Sequence, residues 1–221
     1  NNMKKLITLL LVLVTLNGYS QTPIDYDNFS TEIATLKLKE AFLHFRDTIT
    51  TYGSYNEHKH LDKYPILKEK KHLMLPRWSE WIYDNISVRN TNELIRTTSL
   101  YHPDIKEWLE IHYEDMVNAY YEGNTHEDVE SFKETCVIMY SENAVRVPIK
   151  DNEDRYNTYE ELATTIILTY EKSMNHRCLQ RSPMLSSGLE VDGDESNAIF
   201  ACCVMYNNNT KQVKSSINFI R

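Results

Sequence analysis

Two rhythms of apolar residues divide the chain. Between Asp27 and Tyr52, Leu38, Ala41, Phe42, Phe45, Ile49 and Tyr52 recur at steps of three and four, which predicts an amphipathic helix stopped by Gly53. The polar run from Ser54 to Pro65 reads as a loop. From Ile66 to Asn85 the helical period returns, interrupted at Pro76, with Trp78, Trp81 and Ile82 on its apolar face. Short helical pieces follow between Ile86 and Glu134. The clearest spans Asp104 to Tyr121, where Ile105, Trp108, Leu109, His112, Met116 and Tyr120 fall roughly on one side.

The C-terminal third reads differently. Thr135 to Tyr140 is β-branched and aromatic enough for a strand. Thr158 and Glu161 have the spacing of a capping box and open a helix in which Leu162, Ala163, Ile166, Ile167 and Tyr170 share a face. Leu185 to Val191 predicts a short strand, Gly193 to Asn197 a turn, and Ala198 to Tyr206 a long apolar strand. Helices first, then strands around one helix with hairpin-type connections, predict an α+β layered domain. With no linker and no repeat, residues 21–221 read as a single domain. A length of 221 residues is enough for one core, and 41% apolar content excludes a wholly disordered chain.

The first twenty residues carry a basic start at Lys4 and Lys5, an apolar run from Leu6 to Leu16, and small residues at Gly18 and Ser20. This is the pattern of a signal peptide, residues 1–20, cut after Ser20, and it predicts export to the periplasm or beyond the cell. The apolar run is shorter than the ~20 residues that span a bilayer, so no stable membrane anchor is expected. Loss of Lys4 and Lys5 lowers the formal charge from −8 to −10. That charge, with no clustered basic face, argues against a nucleic-acid partner, because phosphate affinity comes from Lys and Arg. The cysteines Cys136, Cys178, Cys202 and Cys203 include no Cys-x-x-Cys pair. One disulfide between Cys136 or Cys178 and the Cys202–Cys203 pair, or buried free thiols, both fit an exported chain.

Three stretches in the C-terminal half resemble the CAP superfamily (cysteine-rich secretory proteins, antigen 5 and pathogenesis-related 1 proteins), especially its bacterial branch. "YSENAV", Tyr140 to Val145, is similar to the family's Gly-Glu-Asn-Ile motif, with Glu142 and Asn143 in register and Ser141 in place of the glycine. "YEKSMNHR" resembles the Trp-x-x-Ser-Pro-Gly-His-Arg signature. It aligns Ser173, His176 and Arg177, with Tyr170 where the tryptophan stands and Met174-Asn175 replacing Pro-Gly. "HRCLQRSPMLSSGLEV" then places Pro183 and Gly188 near the family's spacing. "FACCVMYNNN" is similar to its closing strand, and Arg46 aligns with the opening helix's Asn-x-x-Arg motif. The resemblance covers Thr135 to Asn207, and residues 86–134 are longer than the simple bacterial pattern.

The resemblance implies a three-layer α-β-α sandwich with a mixed or antiparallel central sheet. It also implies a cleft where histidines and glutamates converge: Glu142, His176 and a first histidine, His126 in preference to His102. Imidazole and carboxylate are zinc ligands, so Glu142 and His176 leave room for a divalent metal, although no cofactor is required. Set against this, Glu142 capping backbone amides with His176 tied to it is a purely structural arrangement. Arg177 is suited to a salt bridge with a carboxylate. His58 and His60 read as a solvated loop, and the 15 tyrosines as core and rim. No Gly-x-Ser-x-Gly elbow and no His-Glu-x-x-His helix is present. The expectation is a non-enzymatic binding module for a small apolar ligand or a protein partner. A metal-assisted hydrolase using Glu142 as general base, and a structural or adhesive surface protein, are the alternatives.

Overall fold

The computed structural model describes residues 21–51, 75–96, 105–121, 140–149, 156–181, 187–191 and 194–220. The predicted loop at Ser54–Pro65 with His58 and His60, the histidines His102 and His126, Cys136, and the strand residues Thr135 to Met139 lie outside them.

Helix α1, Thr31–Thr51, starts later than the periodicity suggests. Ser30 sets the boundary, its Oγ accepting from the Ile33 amide at 3.2 Å. Ala34, Leu38, Phe42 and Phe45 form its buried stripe. After Pro76 the expected helix is replaced by a two-residue strand, β1, Arg77–Trp78. The Arg77 amide donates to Ala198 O at 3.0 Å and the Ser79 amide to Phe200 O at 2.9 Å, so pairing overrides the helical rhythm. Ser79 then caps α2, Glu80–Ile82, which runs through a π-helical turn, Tyr83–Ser87, into α3, Val88–Arg96. The helix predicted over Asp104–Tyr121 is two pieces, α4 Ile105–Ile111 and α5 Tyr113–Tyr121, broken at His112.

Strand β2 is Tyr140–Pro148, so "YSENAV" lies inside a strand. Helix α6, Tyr159–Lys172, has the predicted capping box: Thr158 Oγ1 accepts from the Glu161 amide at 3.2 Å and Glu161 reaches back to the Thr158 amide. Thr158→Ala should lower stability by about 1 kcal/mol, read by chemical denaturation. The five predicted apolar positions of α6 are all buried. The "SMNHR" stretch runs into a further helix, α7, Met174–Gln180, with Ser173 as the joint. Cys178 therefore sits in a helix.

The hairpin β3, Ser187–Val191, and β4, Asp194–Asn197, puts a strand where a turn was expected. β5, Ile199–Asn207, and β6, Gln212–Ile220, complete the fold. β6 is the strand the sequence reading omitted; β5 is not the closing strand. The mixed sheet has the order β1-β5-β6-β2, with β1 parallel to β5 and the other pairs antiparallel. Among the described residues β2 thus stands at the edge of the sheet.

Alternation along the strands sends side chains to two faces. On the first, Phe200, Cys202, Val204, Val213, Ile217 and Phe219 meet α1 and α6. On the second, Ile199, Ala201 and Ile220 meet Ile82, Ile86, Met116, Ala119 and Tyr120. Each fully buried large side chain contributes about 1.5–3 kcal/mol of transfer free energy. The α+β architecture expected from the sequence therefore holds, with helices on both faces of the sheet. Cys202 and Cys203 are free and buried, one towards each face. Burial pushes the Cys203 thiol up to about 11, so neither the spacing nor the acidity suits a reactive thiol.

Candidate functional site

Consecutive residues of β2 divide the candidate site between the two faces. Glu142 points to the second face, where its Oε1 accepts from Asn90 Nδ2 of α3 at 3.1 Å. The same amide nitrogen lies 3.0 Å from Tyr140 Oη and 3.2 Å from Asn218 Oδ1. Its two hydrogens cannot serve three oxygens fully at once. Tyr140 Oη donates to Asn218 Oδ1 at 2.7 Å, and Asn218 Nδ2 donates to Ser87 Oγ at 2.9 Å and Ser216 Oγ at 3.0 Å. Thr91 Oγ1 and Ser216 Oγ close the network at 2.8 Å. Asn90, Thr91, Ser87, Ser216 and Asn218 are all buried.

Among the described residues, the members of this network other than Glu142 and Tyr140 are non-ionising. Burial pushes the Glu142 carboxyl from 4.5 up to about 7, opposed by the bond from Asn90. Burial, and then the nearby Glu142 charge, hold the Tyr140 hydroxyl well above its ordinary value. A carboxyl that titrates near neutrality can take and return a proton at little cost.

Asn143 points to the first face and is fully buried. Its Nδ2 donates to the backbone carbonyl of His176 at 3.1 Å, fixing the first turn of α7 to the strand. Tyr170, also fully buried, donates its hydroxyl to Asn143 O at 3.2 Å, and its ring meets the His176 imidazole edge-on at 5.6 Å. His176 is half-buried, and that burial lowers its pKa. No carboxylate contributes to that shift: Glu142 leaves the sheet on the second face, whereas His176 stands on α7 over the first.

Arg177 is exposed, and the expected salt bridge is made instead by Arg181, which pairs with Glu171 through Nε at 2.8 Å and through Nη2. Ser173 makes no side-chain cap; its backbone amide bonds Tyr170 O at 3.1 Å and so ends α6. Arg46, fully buried, donates from Nη1 to Gln180 O at 3.1 Å and ties α1 to α7. Its place is structural. Among the described residues no group of three or more His, Cys, Asp or Glu side chains is arranged to hold a metal ion. Glu142 on the second face and His176 over the first do not fit a shared zinc ion.

The sequence reading did not find Asn90, Thr91 and Ser87. Their positions in short helical pieces carry no distinctive spacing. Lys214, Ser216 and Asn218 alternate with Val213, Ser215, Ile217 and Phe219 along β6, but Ser215 blurs the apolar side of that pattern. Lys214 is buried and donates to Leu94 O at the end of α3. No helix among the described residues is long and apolar enough to cross a membrane. Comparison with protein-family models, curated proteins and solved structures gives no significant match.

Proposed function

We propose that the chain is an exported binding protein of CAP type, a three-layer α-β-α sandwich that takes a small apolar ligand or a protein partner without turning it over. What supports this is one junction. Asn143, Tyr170 and His176, aligned separately with two family motifs, meet through the Asn143–His176 bond and the Tyr170–His176 ring contact. The ligand would lie at the Tyr140 end of β2, where Glu142 opens to one face and His176 to the other.

One observation favours an enzyme instead. The Glu142 carboxyl, held near neutrality, has the acidity of a general acid or base. This second reading is a hydrolase in which Glu142 works on water without the shared metal. A single experiment separates the two. The mature protein is titrated with cholesterol or palmitate delivered from cyclodextrin, and its unfolding temperature is followed beside hydrolysis of a p-nitrophenyl ester. Saturable stabilisation without turnover is the expected result. Turnover abolished by Glu142→Gln would transfer the assignment to the hydrolase, and neither signal would leave a structural or surface role.

A further inference from the structure

We propose that the exported chain begins at Gln21 and that this glutamine closes into pyroglutamate, giving a neutral, blocked amino terminus beside helix α6. The inference rests on the reading of residues 1–20 as a removable leader, and adds a covalent modification at the end that removal creates. Cleavage after Ser20 exposes a glutamine, whose side chain can form a lactam with its own α-amine.

The fold anchors the chain directly after this residue and leaves the residue itself free to react. Gln21 is exposed, in irregular backbone, and its carboxamide has no hydrogen-bond or ion-pair partner among the described residues. The Thr22 amide donates to Glu160 Oε2 at 3.0 Å, and Thr22 O accepts from the Tyr159 amide at 3.0 Å. Pro23 bridges to Thr158, and the Ile24 amide donates to Asn157 O at 2.9 Å. These bonds hold residues 22–24 against the start of α6, so a terminus at Gln21 is tied down. A loose side chain on an anchored residue reaches its own amine without any rearrangement of the fold.

Charge favours the closed form. A new α-ammonium would adjoin the first turn of α6, whose backbone N–H end disfavours cations. It would also be a second cation near Glu160, which Lys37 already pairs at 3.2 Å. The Glu160 oxygens are engaged by the Thr22 amide, the Thr22 hydroxyl at 3.4 Å and Lys37. The lactam removes the cation and keeps the Thr22 amide, and with it the anchor.

In the closure, the α-amine nitrogen of Gln21 attacks its own Cδ. The N–Cδ bond forms, the Cδ–Nε2 bond breaks, and Nε2 leaves as ammonia with a proton given up by the amine. Nothing is oxidised or reduced, and no co-reactant enters. The amine is a nucleophile only when deprotonated, so closure quickens as pH rises through about 8.

The test is intact mass, Edman degradation and mass spectrometry of the N-terminal peptide, on the chain recovered from the exported fraction. The expected product starts at Gln21, is lighter by one ammonia (about 17 Da) and resists Edman degradation. Treatment of the denatured chain with pyroglutamyl aminopeptidase should then open it at Thr22. In Gln21→Ala the chain should start at residue 21 with a free amine and no loss of ammonia. An unmodified Gln21 terminus would overturn the lactam and leave the export reading standing. Ammonia lost only elsewhere, such as a succinimide in the exposed run Asn208–Asn209, would leave Edman degradation open at Gln21 and would also overturn it. A chain starting at any other residue would overturn both the lactam and the cut after Ser20. Failure of cholesterol or palmitate to bind would bear on the proposed function and leave the terminal result standing.

Discussion

Glu142→Gln is expected to make the protein more stable than the wild type above neutral pH, and to remove the pH dependence that the Glu142 carboxyl confers below it. The sign follows from the direction of the shift. The folded protein raises the carboxyl from 4.5 to about 7, so it holds a proton that the unfolded chain has already released. Stability from this group is fully present below the unfolded value and is lost as pH rises through the folded one. One pKa unit is about 1.4 kcal/mol, so the wild type should lose on the order of 3 kcal/mol between about pH 4.5 and about pH 8. Glutamine keeps the shape and an acceptor for Asn90 without ever carrying the charge. Urea denaturation midpoints across that range measure both curves. Parallel curves would show that the carboxylate is solvated in the folded state and that the second-face network is looser than its geometry.

The same residue shows what the sequence could and could not disclose. Glu142 and His176 were legible as candidates because short motifs name residue types. The face a strand residue occupies depends on register, which motifs do not carry. With β2 paired to β6 so that Glu142 stands opposite Asn218, Glu142 turns to the second face and Asn143 to the first. The helices α1 and α6 were readable because their apolar residues recur at helical spacing and Thr158 announces a start. The region after Pro76 misled because Trp78, Trp81 and Ile82 suit a helix face. Trp78 instead belongs to a strand that depends on a parallel partner more than a hundred residues away. β6 was missed because its polar alternate positions, Lys214, Ser216 and Asn218, dilute its apolar ones. Those polar positions are buried because the network on the second face accepts them.

Removing the Tyr170 side chain should have the larger structural cost and should release His176. Tyr170 is fully buried at the end of α6, with its ring against His176 and its hydroxyl on Asn143 O and Ser215 Oγ, the latter at 3.4 Å. Truncation to alanine leaves a cavity the size of an aromatic ring in the first-face core, which typically costs about 3–5 kcal/mol. Tyr170→Phe keeps the ring and removes only the hydroxyl bonds, so about 1 kcal/mol is expected. The two variants should differ more sharply at His176. Burial is what lowers its imidazole, and the Tyr170 ring lies edge-on against it. In Tyr170→Phe the imidazole should titrate as in the wild type. In Tyr170→Ala, or Tyr170→Leu if the alanine variant does not fold, it should rise towards its ordinary value as water reaches it. By linkage, the wild-type imidazole lowers stability as it is forced to take a proton in acid, and the variant should lose less over the same fall in pH. Denaturation midpoints and NMR titration of the His176 ring measure the two effects separately. A His176 pKa unmoved by loss of the whole Tyr170 side chain would mean that its burial comes from other groups, and the junction of Asn143, Tyr170 and His176 would then be a backbone tie alone.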